Sequence, residues 1–533
     1  MYNSYIEQGI FPQALKVGRI TPIHKKGNKE LIENYRPVST LPVFGKIFEK
    51  IIYKRLYKFF SSNDVISDAQ FGFRKNHSTG HAIHYSVNIV KEALSNKKNV
   101  LGIFIDLSKA FDTLNHNILL KKLENYGVRG VANNLVNSYL SDREQYVCFQ
   151  NNDSSHEKIT FGVPQGSVLG PLLFLIYIND IINSIIGDDV KIVLYADDTN
   201  IFIVGSCKRE LVIRANKILK YINDYMKSNY LHINIGKCCY IHFRSPKEPL
   251  PESDEILTSV NINKEIKICG SKIQEVDHTQ FLGVTIDKHL TWQPHIERLY
   301  KKLKSSVGIL RRIRSNIPED SYKTLYYTLF ECHLTYCISA FGNANKLFTE
   351  RLFTIQKHCM RILFGDLNAY LDKFMTCCRT RPITEQKLGT NFYQKEHTKQ
   401  LFDKMNILAF KNLYNYHICL ETIKTLQSRT PYCLFSMYEL SHRNNGNLLL
   451  SRPNNGSYLT NRVETWNCCM KLICKEIPIA AIEIPKFKRE LKNILLKVQG
   501  YGDPIEWFND LNFSLTTAQK PSFNIDKALS AHS

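Results

Sequence analysis

The stretch YADD at residues 195–198 lies between two short apolar runs, KIVLY at residues 191–195 and IFIV at residues 201–204. Two apolar runs joined by a short polar segment predict a β-hairpin with both aspartates at its tip. A third acid, Asp106, directly follows the apolar run VLGIFI at residues 100–105, which predicts a buried strand. Three carboxylates at strand ends therefore form the candidate site of this chain.

Carboxylates in such an arrangement suit phosphoryl transfer by two divalent metal ions. That chemistry needs hard oxygen ligands on rigid backbone, placed so that the metals lie about 4 Å apart. Asp106 and Asp197 are 91 residues apart in the sequence, so only adjacent strands of one sheet would bring them together. On the residue types alone, Asp197 and Asp198 as turn formers and Asp106 as a helix-proximal cap are the simpler interpretation.

The flanking sequence reverses that preference. YADD resembles a signature box of reverse transcriptases, and DLSKAFD at residues 106–112 resembles their first aspartate motif in its non-LTR retrotransposon form. Between them, GVPQGSVLGP at residues 162–171 is similar to the glycine-rich motif of the same enzymes. Similar segments outside this core are NYRPVS at 34–39, KIFEK at 46–50, QFGFRKNHST at 70–79 and FLGV at 281–284. The resemblance covers roughly residues 10 to 300 and is to jockey-like elements of the LINE type.

This resemblance implies an α+β chain with the right-hand polymerase fold: fingers, a palm with an antiparallel sheet, a helical thumb and a mainly helical C-terminal region. The implied division is residues 1–99 for the N-terminal part of the fingers and residues 100–287 for the palm with interleaved fingers segments. Residues 288–374 are expected to form the thumb, and residues 375–533 carry no motif with an assigned role.

The same resemblance implies the metal site and the acid. Asp106, Asp197 and Asp198, with the carbonyl group of Leu107, are expected to hold two Mg²⁺ ions, with Mn²⁺ as an alternative. Lys237 is expected to act as the general acid that protonates the departing pyrophosphate, although a surface lysine is nearly as good an interpretation.

Four further residues are expected at the nucleotide. Arg74 would bind the triphosphate through its planar fork of donors, unless it is a solvated arginine of the fingers. Phe111 would act as the steric gate against a 2′-hydroxyl group, unless it is a core phenylalanine. Gln165 offers an amide to the incoming sugar and the template side, and Gly166 allows backbone to approach closely.

Charge and composition are consistent with nucleic-acid partners. The 533 residues carry 70 Lys+Arg against 49 Asp+Glu, a formal net charge of +21, which indicates a polyanion partner but does not distinguish nucleic acid from an anionic membrane. The motifs favour an RNA template, a DNA primer and dNTPs, with Arg311, Arg312 and Arg314 as candidate phosphate contacts. No signal peptide is visible, and the longest apolar run, residues 168–178, is too short to cross a membrane. We expect no membrane partner and an intracellular protein, in the nucleus or cytoplasm.

The predicted function is RNA-directed DNA polymerisation in target-primed reverse transcription. Met1 lies only a few residues before the first motif, which leaves no room for the endonuclease that such elements carry. The chain is therefore expected to be part of a longer reading frame or a truncated copy, acting with the element's own RNA and an endonuclease region. An inactive or domesticated nucleic-acid-binding remnant is the alternative function, and a maturase or an RNA-dependent RNA polymerase is the alternative class.

Overall fold

The computed structural model describes residues 1–184, 187, 189–246, 265–365, 395–438, 450, 459–473 and 482–498. The chain divides into two compact units. The first comprises Met1–Ala82 and Lys97–Val276, and the second comprises Ile83–Asn96 and Asp277–Ser533. The predicted surface loop at residues 245–259 lies almost wholly outside the described residues.

The strands are short, and most of them belong to the first unit. In chain order they are β1 (Val17–His24), β2 (Tyr35–Thr40), β3 (Asn99–Ile105), β4 (Leu107–Ser108), β5 (Arg143–Phe149), β6 (Asn152–Asp153), β7 (Glu157–Ile159), β8 (Val190–Tyr195), β9 (Asp198–Gly205), β10 (His232–Ile233), β11 (Cys239–Phe243), β12 (Lys267–Ile268), β13 (Ser271–Lys272), β14 (Gln274–Glu275), β15 (His278–Phe281) and β16 (Val284–Asp287).

Helices make up most of the remaining regular structure. They are α1 (Tyr2–Gln8), α2 (Val43–Ser62), α3 (Thr79–Ser95), α4 (His116–Asn125), α5 (Val131–Leu140), α6 (Gly170–Ile178), α7 (Lys208–Ser228), α8 (Gln293–Ile313), α9 (Tyr322–Leu325), α10 (Cys332–Thr335), α11 (Ile338–Phe341), α12 (Lys346–Phe364), α13 (Lys395–Met405), α14 (Phe410–Ser428), α15 (Tyr432–Phe435), α16 (Leu459–Ile473) and α17 (Ile484–Val498). Where residues 375–533 are described, the chain is almost entirely helical, as predicted.

Two sheets organise the first unit. One has the strand order β14-β11-β3-β9-β8, in which the pairs β11–β3, β3–β9 and β9–β8 are antiparallel and the pair β14–β11 is parallel. The other has the order β2-β1-β5-β6, with β7 paired to β5. Strand β3 is buried along nearly its whole length, because β9 and β11 flank both of its edges and Leu101, Ile103 and Ile105 on one of its faces belong to the apolar core.

Helix α6 is the innermost element of this unit. All of its residues except Pro171 are buried, so it is apolar on every side rather than on one stripe. The predicted helix at residues 168–178 begins at Gly170 instead, because the Ser167 hydroxyl accepts a hydrogen bond from the Gly170 N–H group and Pro171 fits only the first turn.

Other sequence-based boundaries are close to the observed ones. The amphipathic helix expected at residues 41–60 is α2, which begins after Pro42 because that residue is extended. The predicted N-cap of α4 is confirmed: the Asn115 side chain accepts a hydrogen bond from the Ile118 N–H group. The hairpin tip, expected at residues 196–200, is three residues shorter, since β8 ends at Tyr195 and Asp198 begins β9.

Within the described residues, no helix is both long enough and apolar enough to cross a membrane. The second unit contains the β15–β16 hairpin followed by helices. Asp287, at the end of β16, is buried and accepts hydrogen bonds from the N–H groups of Thr291 and Trp292. This carboxylate fixes the turn that leads into α8.

A buried carboxylate supports the start of α6. Glu49 is 1% exposed, and one of its oxygens accepts hydrogen bonds from the N–H groups of Val168 at 2.5 Å and Leu169 at 3.1 Å. Burial raises the pKa of this carboxyl, while the two N–H groups oppose that rise. Glu49 therefore links α2 by hydrogen bonds to Val168 and Leu169, which lead into α6.

Replacing Glu49 by leucine should destabilise the protein. Glu49→Leu leaves two buried N–H groups without an acceptor, which costs about 2 kcal/mol of unfolding free energy. Denaturant unfolding followed by circular dichroism measures the loss. Glu49→Gln, which keeps an acceptor oxygen, and Lys50→Ala, at an exposed neighbouring position, should each lose clearly less. Equal stability of Glu49→Leu and wild type would contradict the assignment.

Candidate active site

The pairing of β3 with β9 brings the three predicted carboxylates together. Ile105 pairs with Thr199, so the next residues in this antiparallel register, Asp106 and Asp198, stand side by side at one end of the sheet. Strand β8 pairs with β9 through Tyr195 and Asp198. The 91 residues between Asp106 and Asp197 are therefore bridged by adjacent strands, as the catalytic interpretation requires.

Burial and mutual repulsion act on these carboxylates. The pKa of Asp198 is raised to about 6, first by burial and then by the charges of Asp197 and Asp106. The pKa of Asp197 is also raised, chiefly by burial, with Asp106 adding to the effect. The site thus concentrates negative charge, which nearby cations would stabilise.

Three basic side chains supply part of that counter-charge. The Lys237 ammonium group donates to a carboxylate oxygen of Asp106 at 2.7 Å. The positive charges of Lys25 and Arg36 oppose the rise in the pKa of Asp197. The sequence motifs predict Lys237 at this site. They do not predict Lys25, which follows β1, or Arg36, which lies in β2, because both strands belong to the other sheet.

A short strand pair places Lys237. Strand β4 pairs with β10, and the Asn234 N–H group donates to the Asp106 carbonyl oxygen. Residues Ile235–Lys237 then form one 3₁₀ turn, which directs the lysine toward Asp106. Leu107 begins β4 opposite Ile233, and its side chain is buried. A contact between this residue and a metal ion would therefore use the backbone carbonyl group.

The donor set suits divalent cations. Carboxylate oxygens are the hard ligands that Mg²⁺ and Mn²⁺ prefer, and Mg²⁺ sites commonly use few protein ligands completed by water and substrate phosphates. In the part of the chain that the structure describes, no three His, Cys, Asp or Glu side chains form a ready-made cage. The raised pKa values of Asp197 and Asp198 nevertheless mark a site at which a cation relieves repulsion.

Gln165 is held by Asp112, a neighbour for which the motifs predict no role. Its amide nitrogen donates to both carboxylate oxygens of Asp112, at 2.8 and 3.0 Å. Burial raises the pKa of Asp112, and the hydrogen bond from Gln165 opposes that rise. Asp112 follows Phe111 in the quoted DLSKAFD motif, so its position in that motif was the available signal.

The residues beside Gln165 pack closely. Gly166 has a φ of 134°, and an added Cβ atom would lie 2.4 Å from the Ser39 carbonyl oxygen, so the backbone that approaches it is that of β2. Phe111 stacks on Phe174 of α6 with ring centroids 4.7 Å apart, and Phe73 contacts it edge-on at 6.2 Å. Phe111 is half-buried, which leaves part of the ring accessible.

Arg74 is already engaged within its own loop. Its guanidinium group donates to the carbonyl oxygens of Ser67 and Gln70, and the Asp68 carboxylate is 3.7 Å away. Its role at the triphosphate stays a prediction. Among the basic residues near the end of α8, Arg311 and Arg312 are exposed, whereas Arg314 donates to the Gly365 carbonyl oxygen.

A mainly antiparallel sheet with carboxylates at one end is typical of the palm of right-hand nucleic-acid polymerases. Residues 23–286 match the family model described as "Reverse transcriptase (RNA-dependent DNA polymerase)". This stretch, just under half of the chain, is similar to reverse transcriptases, and the relatives that the chain matches are RNA-directed DNA polymerases of non-LTR retrotransposons.

Two relatives from Drosophila melanogaster illustrate the match. The chain is 29% identical over 377 residues to the RNA-directed DNA polymerase from mobile element jockey, covering 68% of this chain and 39% of the relative. It is also 29% identical over 379 residues to the probable RNA-directed DNA polymerase from transposon BS, covering 68% of this chain and 40% of the relative. The chain thus spans about two fifths of the length of these relatives.

Among solved structures, telomerases show low similarity. The telomerase from Candida albicans in complex with a TWJ fragment of telomeric RNA gives a TM-score of 0.38 at 12% identity, covering 72% of this chain and 68% of that one. Apo telomerase from Candida tropicalis gives a TM-score of 0.38 at 12% identity, covering 81% and 72%.

Removing one carboxylate should stabilise the metal-free protein at alkaline pH. The folded pKa of Asp198 is raised to about 6 from a usual 3.8, so its ionised form opposes folding above pH 6 and this cost disappears as the pH falls toward 3.8. Asp198→Asn should therefore raise the unfolding temperature in EDTA at pH 8 by about 2 °C, and by less at pH 5.

Thermal unfolding at the two pH values measures this difference. Asp224→Asn, which neutralises an exposed carboxylate of α7, is the matched control and should show no such pH dependence. An Asp198→Asn variant that is less stable than wild type at pH 8 would contradict the repulsion at the site.

Proposed function

We propose that this chain is an RNA-directed DNA polymerase of a non-LTR retrotransposon, which adds dNTPs to a primer 3′-hydroxyl group in target-primed reverse transcription. The observation that carries the proposal is the convergence of Asp106, Asp197 and Asp198 at the end of paired strands β3, β8 and β9. The Asp198 carboxyl responds to both other charges, so the three act as one site.

The metal ligands follow from this geometry. Asp106, Asp197 and Asp198, with the Leu107 carbonyl group, would hold two Mg²⁺ ions, and Mn²⁺ would suit the same oxygen donors. When bound, the ions would activate the primer hydroxyl group and neutralise charge on the triphosphate. Lys237, already 2.7 Å from Asp106, stands where it could give a proton to the departing pyrophosphate.

The nucleotide would meet residues from both sheets. Lys25 and Arg36 are close enough to Asp197 to influence its pKa, and their charges suit a triphosphate, with Arg74 as a further candidate. Phe111 would exclude a 2′-hydroxyl group with its accessible edge. Gln165, held by Asp112, would present its amide oxygen to the sugar or to the template side.

The nucleic-acid partners would be an RNA template and a DNA primer. The excess of 70 Lys+Arg over 49 Asp+Glu suits backbone contacts that read shape rather than sequence. Exposed Arg311 and Arg312 are candidate phosphate contacts of the second unit. Residues 288–374 would be the thumb. Residues 1–99 would be part of the fingers, and residues 100–287 would be the palm. Further partners would be the element's own RNA and an endonuclease region, and nucleus and cytoplasm are the expected compartments.

Primer extension tests the function. The purified chain with poly(rA)/oligo(dT), dTTP and Mg²⁺ should elongate the primer. Asp197→Ala combined with Asp198→Ala should reduce the rate about 1000-fold, which corresponds to about 4 kcal/mol of lost charge stabilisation.

The control is Asp224→Ala, which removes an exposed carboxylate far along α7 and should leave the rate unchanged. Extension that survives the double substitution would rule out the assigned mechanism. RNA binding by a wild-type chain that neither binds Mn²⁺ nor extends the primer would favour the inactive remnant instead.

Sugar selection tests the gate. Phe111→Val opens space beside Phe174, so incorporation of rNTPs relative to dNTPs should rise about 10- to 100-fold. Single-nucleotide incorporation with each substrate measures kcat/KM. Phe149→Val, at an exposed position of β5, is the matched control. A wild-type preference for rNTPs would instead indicate an RNA-dependent RNA polymerase.

A further inference from the structure

A loop from residue 69 to residue 72 runs along the edge of the catalytic hairpin. The Phe71 N–H group donates to the Leu194 carbonyl oxygen and the Leu194 N–H group donates to the Ala69 carbonyl oxygen, each at 2.8 Å. These two bonds form a parallel bridge between Gln70 and Leu194. The loop thus extends the sheet beside β8, one residue before the YADD stretch begins.

The side chain of Gln70 reaches the turn itself. Gln70 is 1% exposed, and its side-chain oxygen accepts hydrogen bonds from the N–H groups of Gly72 at 2.8 Å and Ala196 at 3.0 Å. Within the described part of the chain, its side-chain nitrogen has no hydrogen-bond partner. The position therefore uses the glutamine as a double acceptor, at the cost of one unsatisfied buried donor.

The turn that receives this hydrogen bond has an unusual backbone. Ala196 has a φ of 55°, the left-handed region that costs a residue with a Cβ atom roughly 1–2 kcal/mol. Such a conformation persists only where its surroundings determine it. The loop also leaves no room for displacement, since a Cβ atom at Gly72 would lie 2.3 Å from the Ala196 nitrogen.

We propose that Gln70 is a positioning residue that fixes Ala196 and thereby places Asp197 for metal binding, with Gly72 as its steric counterpart. This inference rests on the proposed polymerase function. Gln70 would act through the backbone of the catalytic turn, which it contacts at the Ala196 N–H group. Its contact with Ala196 joins residues 126 positions apart in the chain.

The chemistry explains why an amide occupies this position. A glutamate would also accept both hydrogen bonds, but it would bury a negative charge next to Asp197 and Asp198. The pKa values of both aspartates are already raised by burial and by neighbouring carboxylates. Glutamine supplies the acceptor without that charge.

Metal titration of the full-length chain tests the inference without depending on catalysis. Mn²⁺ binding, followed by the electron paramagnetic resonance signal of the free ion, should weaken about 10-fold in Gln70→Met, which removes the acceptor. Gly72→Ala, which displaces the same turn by steric clash, should weaken binding by a similar factor. The KM for dNTP should stay close to wild type, because the Lys25, Arg36 and Phe111 side chains are untouched.

Two controls separate positioning from general destabilisation. Gly308→Ala adds a Cβ atom in α8 that would meet no other described residue outside its own helix within 4 Å, so this variant should bind Mn²⁺ like wild type. Gln70→Glu keeps both accepted hydrogen bonds, so it should bind Mn²⁺ at least as tightly as wild type at pH 8, even though it unfolds at a lower temperature in EDTA.

Wild-type Mn²⁺ affinity in both Gln70→Met and Gly72→Ala would overturn the inference. If Gln70→Met does not fold, Gly72→Ala and Gln70→Glu decide: weak binding in the first and tight binding in the second support the inference, and any other combination overturns it. Failure of the proposed function is distinguishable, because wild type would then bind Mn²⁺ in an Asp197-dependent manner without extending a primer.

Discussion

Repulsion among three half-buried carboxylates is the constraint on which the rest of this site depends. Asp106, Asp197 and Asp198 are held together although burial and mutual charge raise the pKa values of the last two. No side chain could keep such a cluster in place by itself. The antiparallel register of β3 and β9, seven consecutive residue pairs long, supplies that rigidity through backbone hydrogen bonds.

Other elements of the first unit support this strand register. Helix α6 fills the space behind the sheet with apolar side chains, and Glu49 fastens its beginning to α2. On the open side, Lys237 pairs with Asp106 and reduces the repulsion directly. The carboxylates of the site therefore repel one another, while the backbone pairing and the packed helices keep them in place. A bound cation would reduce the repulsion without changing the backbone pairing.

Local sequence signals predicted much of this arrangement, and non-local contacts account for the rest. Apolar runs close to acidic residues identified β3, β8 and β9, and Asn115 marked the start of α4, because each signal is contained within a few residues. The partners Gln70 and Ala196, or Gln165 and Asp112, are 126 and 53 residues apart. No periodicity or turn pattern reports such pairs, since only the folded register creates them.

Several predicted substrate residues already have protein partners, and this changes how binding should be understood. Gln165 donates to Asp112, Arg74 donates to loop carbonyl groups and Lys237 donates to Asp106. A nucleotide or cation would exchange these partners rather than fill vacant donors, so each new contact gains only the difference between two hydrogen bonds. The same prior contacts hold the side chains in place before substrate arrives. The affinity for substrate is lower as a result, but the geometry of the site is organised before the substrate binds. Such preorganisation favours the transition state over the ground state.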